Sequence, residues 1–228
     1  MELKIKEKKD YFNALLKVSG WHDVIGPWID SADFDKMVTS LVNEVEKDQR
    51  FTPKFKDIFN AFLECQFDKT KVIIIGQDPY PQFETADGIA FSCSIKGTPE
   101  KSLQYIFKAL YGTYEDKDCD LRRWSHQGVL LLNTALTVRI KGIGSHYMIW
   151  KPFISYLFTE INKQFKDIPI VLLGKKAEEW ELYFTNQKVY KVPHPAAAAY
   201  NGGIWKHDDI FNKVNDYLAT QNKTIINW

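Results

Sequence analysis

The sequence predicts an α/β fold in which helices flank a central, mostly parallel four-stranded sheet. Two observations carry that prediction. Apolar runs at residues 72–75, 129–132 and 168–173, and a short fourth strand-like stretch at 189–192, recur through the last two-thirds of the chain. Stretches of helical periodicity separate them. A run apolar at consecutive positions is buried on both faces, and alternation of such runs with helices is the mark of a parallel sheet covered on both sides.

Residues 1–69 read as helical and as the N-terminal part of one domain spanning 1–228. Asp33 and Asp35 open one segment with early acids, and Met37, Leu41, Val42 and Val45 recur at helical spacing. Pro53 suits the first turn of another, with Phe55, Ile58, Phe59, Phe62 and Leu63 as its apolar stripe. The β-branched run 72–75, closed by Gly76, reads as the first buried strand. A helix is expected at 102–110, then the strand 129–132. A long amphipathic helix at 153–165 precedes the strand 168–173, which Gly174 ends. Residues 177–184 read as helical, 189–192 as a short fourth strand, and 208–219 as a closing helix.

Composition narrows the function. The chain has 228 residues, 26% of them charged and 45% hydrophobic, with a net charge of +1. The whole-surface basic field of a sequence-independent nucleic-acid binder is absent, so an anionic partner needs a local patch, backbone amides or a shaped pocket. Cys65, Cys93 and Cys119 are odd in number and widely spaced. That argues against a disulfide framework, a zinc site or an iron–sulfur cluster, and suits a reducing compartment. MELKIKEKKDYF has no apolar core behind its charges, and no apolar run approaches membrane length. The expectation is a cytoplasmic protein, nuclear if its source has a nucleus, with no metal.

Ligands of open parallel sheets bind beyond the carboxyl ends of the strands. The polar residues there are Gln77-Asp78-Pro79-Tyr80, Asn133-Thr134, Gly174-Lys175 and His194 between two prolines. Asp78, stiffened by Pro79 and Pro81, is either a base or cation stabiliser, or part of an ordinary Asp-Pro turn. Phe91 is either a stacking platform or core. Asn133 can read an imide edge, since an amide both donates and accepts, or it can serve as a cap. His194 can donate to an oxygen that gains charge, or simply brace its loop. No Walker loop or Gly-x-Gly-x-x-Gly fingerprint is present, which argues against a plain nucleotide-binding protein.

Taken in order, GQDPY (76–80), AFS (90–92), LLLNTALTV (130–138) and HP (194–195) resemble the family-1 uracil-DNA glycosylases, over about residues 71–205. The resemblance implies hydrolysis of the N-glycosidic bond of a flipped deoxyuridine in single- or double-stranded DNA, with no cofactor. It implies that Asp78 steadies the sugar cation and orients water, and that His194 hydrogen-bonds uracil O2. Asn133 would read the imide edge, Tyr80 would crowd C5, Phe91 would stack, and the Gln77 backbone would lie against the base. Ser102 would contact phosphate.

Several loops depart from the family pattern. Pro81 replaces the histidine that ends GQDPYH. Lys175 replaces the serine of a Gly-Ser phosphate loop. HPAAAA replaces HPSPLS, putting Ala198 where a leucine wedge is usual; Tyr200, two residues on, is a candidate substitute. A proline after Tyr80, the Gly-Lys loop, HPAA and a terminal Asn-Trp are similar to the poxviral branch. That leaves two functional expectations: a repair glycosylase, favouring single-stranded DNA for want of a wedge, or a glycosylase-fold binding scaffold with a replication partner. A proteinaceous inhibitor of the family is a further expected partner, and the chain is expected to be a monomer.

Overall fold

The computed structural model describes residues 2–228. The chain begins with three helices, α1 (Glu2–Ser19), α2 (His22–Ile29) and α3 (Ala32–Glu46). Ser31 caps α3 by accepting from the Phe34 amide, and Asp33 and Asp35 lie in its positive first turn. The two-residue strand β1 (Phe51–Thr52) and the short helix α4 (Asn60–Glu64) follow. Pro53 is therefore not in a helical first turn. It follows a cis peptide bond after Thr52, whose residue pairs with Val138 of strand β4 (Val138–Arg139) in a small antiparallel sheet.

The main elements come next: β2 (Val72–Gly76), α5 (Lys101–Tyr111), α6 (Arg122–Ser125), β3 (Val129–Asn133), then β4, α7 (Tyr147–Gln164), β5 (Pro169–Leu173), α8 (Lys175–Glu178), β6 (Lys188–Val192) and α9 (Ile210–Thr220). Strands β3-β2-β5-β6 form one fully parallel sheet in that order. The expected strands and their direction are those seen.

The apolar runs serve both faces. Ile73, Ile75, Leu130, Leu132, Ile170 and Leu172 join the core under α1–α4 and α7. Val72, Ile74, Val129, Leu131, Val171 and Leu173 join the opposite core under α5 and α9. Successive side chains point to opposite faces of a strand, so only an unbroken apolar run can fill two cores. Each buried Ile or Leu contributes about 1.5–3 kcal/mol. Truncating one to alanine costs about 2–5 kcal/mol.

Three helix boundaries differ from the periodicity reading. Helix α7 starts at Tyr147, with Pro152 inside it. The proline forfeits a bond to the carbonyl of Met148, a residue left largely exposed where water can satisfy it. Residues 177–184 divide into α8 and a 3-10 turn, Glu181–Tyr183. Helix α9 begins at Ile210, because Asp208 and Asp209 both adopt positive φ. Among the described residues no helix is long and apolar enough to cross a membrane, and no group of three or more potential ligands could hold a metal ion.

Candidate active site

A cavity of about 290 Å³ opens at the carboxyl edge of the parallel sheet. Gln77, Asp78, Tyr80, Pro81, Phe91, Ser102, Asn133 and His194 all line it. Gln77 and Asp78 leave β2, while Asn133 ends β3 directly opposite Gly76. The ladder continues past the strands: the Thr134 amide donates to Gly76 at 3.1 Å, and the Ala135 amide to Gln77 at 3.2 Å. Gly76 sits where three groups meet. A Cβ there would lie 2.5 Å from Asn133 Oδ1 and 2.9 Å from Phe91 Cζ. Only glycine lets the amide and the ring approach over the strand end.

Asp78 is pushed up from the ordinary carboxylate range by burial, partly offset by the Gly144 amide that donates to Oδ2 at 2.7 Å. Its charged form is thus held by neutral donors, the Gly144 amide and the Gln77 side chain, rather than by a cation.

His194 follows β6 and precedes a 3-10 turn, Pro195–Tyr200. Burial pulls its imidazole down to about 4, so it is neutral near pH 7. Nδ1 accepts from the Ala196 amide at 3.2 Å. In a neutral ring the other nitrogen then carries the proton, which makes Nε2–H a donor. The buried Trp205 indole, donating to the Pro193 carbonyl at 2.7 Å, anchors this loop. Gly174 also permits it, since a Cβ there would meet His194 Cβ at 2.7 Å.

Phe91 has φ +66°, a strained conformation for a bulky residue. Two contacts hold it there. Tyr80 Oη donates to its carbonyl at 3.0 Å. Buried Asp87 gathers the loop by accepting from the Ile89 amide and from the hydroxyls of Ser92 and Ser94. The Phe91 and His194 rings stand 5.8 Å apart, tilted by 41°. Burial pushes the Tyr80 hydroxyl far above its usual range, so it stays a neutral donor.

Over residues 62–219 the sequence matches the family model for the uracil DNA glycosylase superfamily. A protein named uracil-DNA glycosylase from Mesomycoplasma hyopneumoniae (strain 7448) is 39% identical over 86% of this chain and 91% of its own length. Another so named, from Amoebophilus asiaticus (strain 5a2), is 37% identical over 85% and 90%. The chain belongs to the uracil DNA glycosylase superfamily. A variant of mimivirus UNG solved in complex with UGI superposes with a TM-score of 0.81 at 26% identity, covering 91% of this chain and 87% of that one.

Three expected DNA-contacting residues of this glycosylase-family chain lie outside the cavity. Lys175 opens α8 on the surface. Tyr200 is 96% exposed, whereas Ala198 is only 2% exposed and belongs to the core under α5 and α9. The position matched to a wedge thus points inward here and is not a surface contact. Sequence reasoning missed Ile143 and Ala196, which line the cavity, and the Gly144 amide. A backbone donor has no residue-type signal, and the only sequence hint was the glycine spacing in Gly142-Ile143-Gly144.

Proposed function

We propose that the chain is a DNA repair glycosylase that hydrolyses the N-glycosidic bond of deoxyuridine in DNA. The observation that carries this reading is the convergence of Asp78, Asn133, Phe91 and a neutral His194 on one small cavity. Uracil stacks on the cavity face of Phe91, with its imide edge on Asn133. Cytosine offers a donor and an acceptor in the wrong places and is rejected. Tyr80 fills the space that a thymine methyl would need. As the bond from C1′ to N1 breaks, its electron pair goes to the ring. His194 Nε2–H donates to the charge collecting on O2, and the Asp78 carboxylate stabilises the cationic sugar. Water adds its oxygen to C1′ and loses a proton, the uracil anion takes up one proton, and free uracil and an abasic site leave.

Ser102, at the start of α5, and Lys175 are proposed to hold phosphates along the strand, with Pro81, which has no N–H to donate, packing beside them. Tyr200 is proposed as the side chain that enters the vacated base space, in place of a leucine wedge. For want of the leucine wedge, single-stranded substrates are favoured. The altered rim, with loops similar to the poxviral branch, is read as tuning DNA grip rather than chemistry. We read residues 1–228 as a single domain, monomeric and cytoplasmic. The fold shared with a UNG solved bound to UGI supports an inhibitor of that kind as a protein partner.

The test is a labelled single-stranded oligonucleotide with one uracil, incubated with the protein and then treated with alkali. Cleavage is expected, falling roughly 100- to 1000-fold in Asp78→Asn. No cleavage by folded protein at low salt would overturn the reading in favour of a binding scaffold.

A further inference from the structure

Asp78 is held from outside the cavity. Its donor, Gly144, lies in the turn from β4 to α7, and one carboxylate on α3 ties both ends of that turn. At the start, the Arg139 guanidinium donates to Glu44 Oε1 at 2.6 Å. At the end, His146 Nε2 lies 2.8 Å from Glu44 Oε2. The Arg139 amide also donates to Ser145 Oγ at 2.9 Å, closing the turn on itself. The Lys141 amide donates to the Pro81 carbonyl at 2.9 Å, tying the turn to the loop that carries Asp78.

Proton placement in this cluster is determined. His146 is fully buried, and burial pulls its pKa below the ordinary value. Trp150 Nε1 donates to Thr137 Oγ1 at 2.7 Å. The Glu44 carboxylate only accepts, so in the neutral ring Nε2 carries the proton and donates to it. Nδ1 is then the acceptor, and the Thr137 hydroxyl, 2.8 Å away, donates to it. Every polar atom in the chain from Trp150 through Thr137 and His146 to Glu44 is matched, which fixes a buried network rigidly.

We propose that Glu44 and His146 are positioning residues for the glycosylase reaction, holding the turn so that the Gly144 amide stays on Asp78. This rests on the role given to Asp78 above. Asp78 is also faced by Tyr147 from α7. Glu44 is faced by Arg139 from β4 and by His146.

The experiment compares Glu44→Ala, His146→Ala and the near-isosteric Glu44→Gln with the wild-type protein. The Asp78 carboxyl is titrated by ¹³C NMR, and uracil release is followed across pH. An amide bond to the charged form lowers a carboxyl pKa, so its loss raises the Asp78 midpoint by about one pH unit in the alanine variants. The acid limb of kcat/KM moves with it. The value of kcat falls roughly 10- to 100-fold with KM unchanged, and Glu44→Gln, whose single amide oxygen can accept from only one of Arg139 and His146, recovers part of the loss. An unmoved Asp78 midpoint in folded variants, or a loss confined to KM, overturns the proposal. If the wild-type protein does not act on uracil DNA, the glycosylase reading fails, while the NMR titration still decides whether the network positions Asp78.

Discussion

Replacing Gly76 by alanine perturbs the base-binding surface through a single methyl group. Gly76 ends β2 without a positive φ, so alanine brings no backbone strain. The added Cβ would stand 2.5 Å from Asn133 Oδ1 and 2.9 Å from Phe91 Cζ, where ordinary contact begins at 3.4 Å. The amide must retreat by about 0.9 Å and the ring by about 0.5 Å. Overpacking of this kind costs about 1–3 kcal/mol. Placed wholly on the transition state, that is about 5- to 150-fold in rate. Misplacement by about 1 Å alone can cost about 100-fold. The assay is single-turnover uracil release from a single-stranded oligonucleotide, with inhibition by free uracil measured alongside. If folding absorbs the cost instead, the melting temperature drops by about 2–4 °C per kcal/mol and the rate is spared. A rate within twofold of wild type, with uracil inhibition and melting both unchanged, would refute the argument that Asn133 and Phe91 close over Gly76.

Tyr80→Ala should admit thymine, whereas Tyr80→Phe should lose the hydroxyl's bonds to the backbones of Phe91 and Leu103 and stay uracil-selective; thymine release from a T:A duplex is the readout. His194, held near 4 against an ordinary 6.5, binds fewer protons folded than unfolded between those values. Its contribution to stability is complete above about pH 6.5 and is lost as pH falls towards 4. Wild-type protein should therefore lose more stability than His194→Gln across that window in urea titrations, and parallel losses would contradict the half-buried neutral ring. Tyr200→Ala should reduce excision from a U:A duplex more than from single strands. Ala198→Leu should act as an overpacked core residue, lowering melting temperature without raising duplex activity; a gain on duplex DNA would show that this side chain does reach the surface.

The strands were legible because a two-sided sheet demands unbroken apolar runs, and 72–75, 129–132 and 168–173 have no other use. The cavity residues were legible because Asp78 and Asn133 follow such runs, and His194 the short strand 189–192, within three residues. Legibility failed where partners are remote or backbone-borne. Glu44 and His146 are 102 positions apart, and neither carries a local pattern that names the other. Pro53 has the same residue type in a helical first turn as in the turn after β1, so only its pairing neighbour Thr52 settles its place. The inward turn of Ala198 depends on how the 3-10 turn after His194 packs against α5, which four consecutive alanines cannot announce.

The ladder between β2 and β3 outlasts the strands themselves. Thr134 and Ala135 bond back to Gly76 and Gln77, and the Thr134 hydroxyl adds a bond to Gln77 at 2.8 Å. Asp78 and Asn133 therefore ride on one stiff piece, a stationary jaw, facing a jaw built from the separate loop after β6. Substrate entry has to be accommodated on the His194 side. In hydrogen exchange, the Thr134 and Ala135 amides should be released only when the sheet itself opens, while amides of the 195–200 turn should exchange through smaller, local openings.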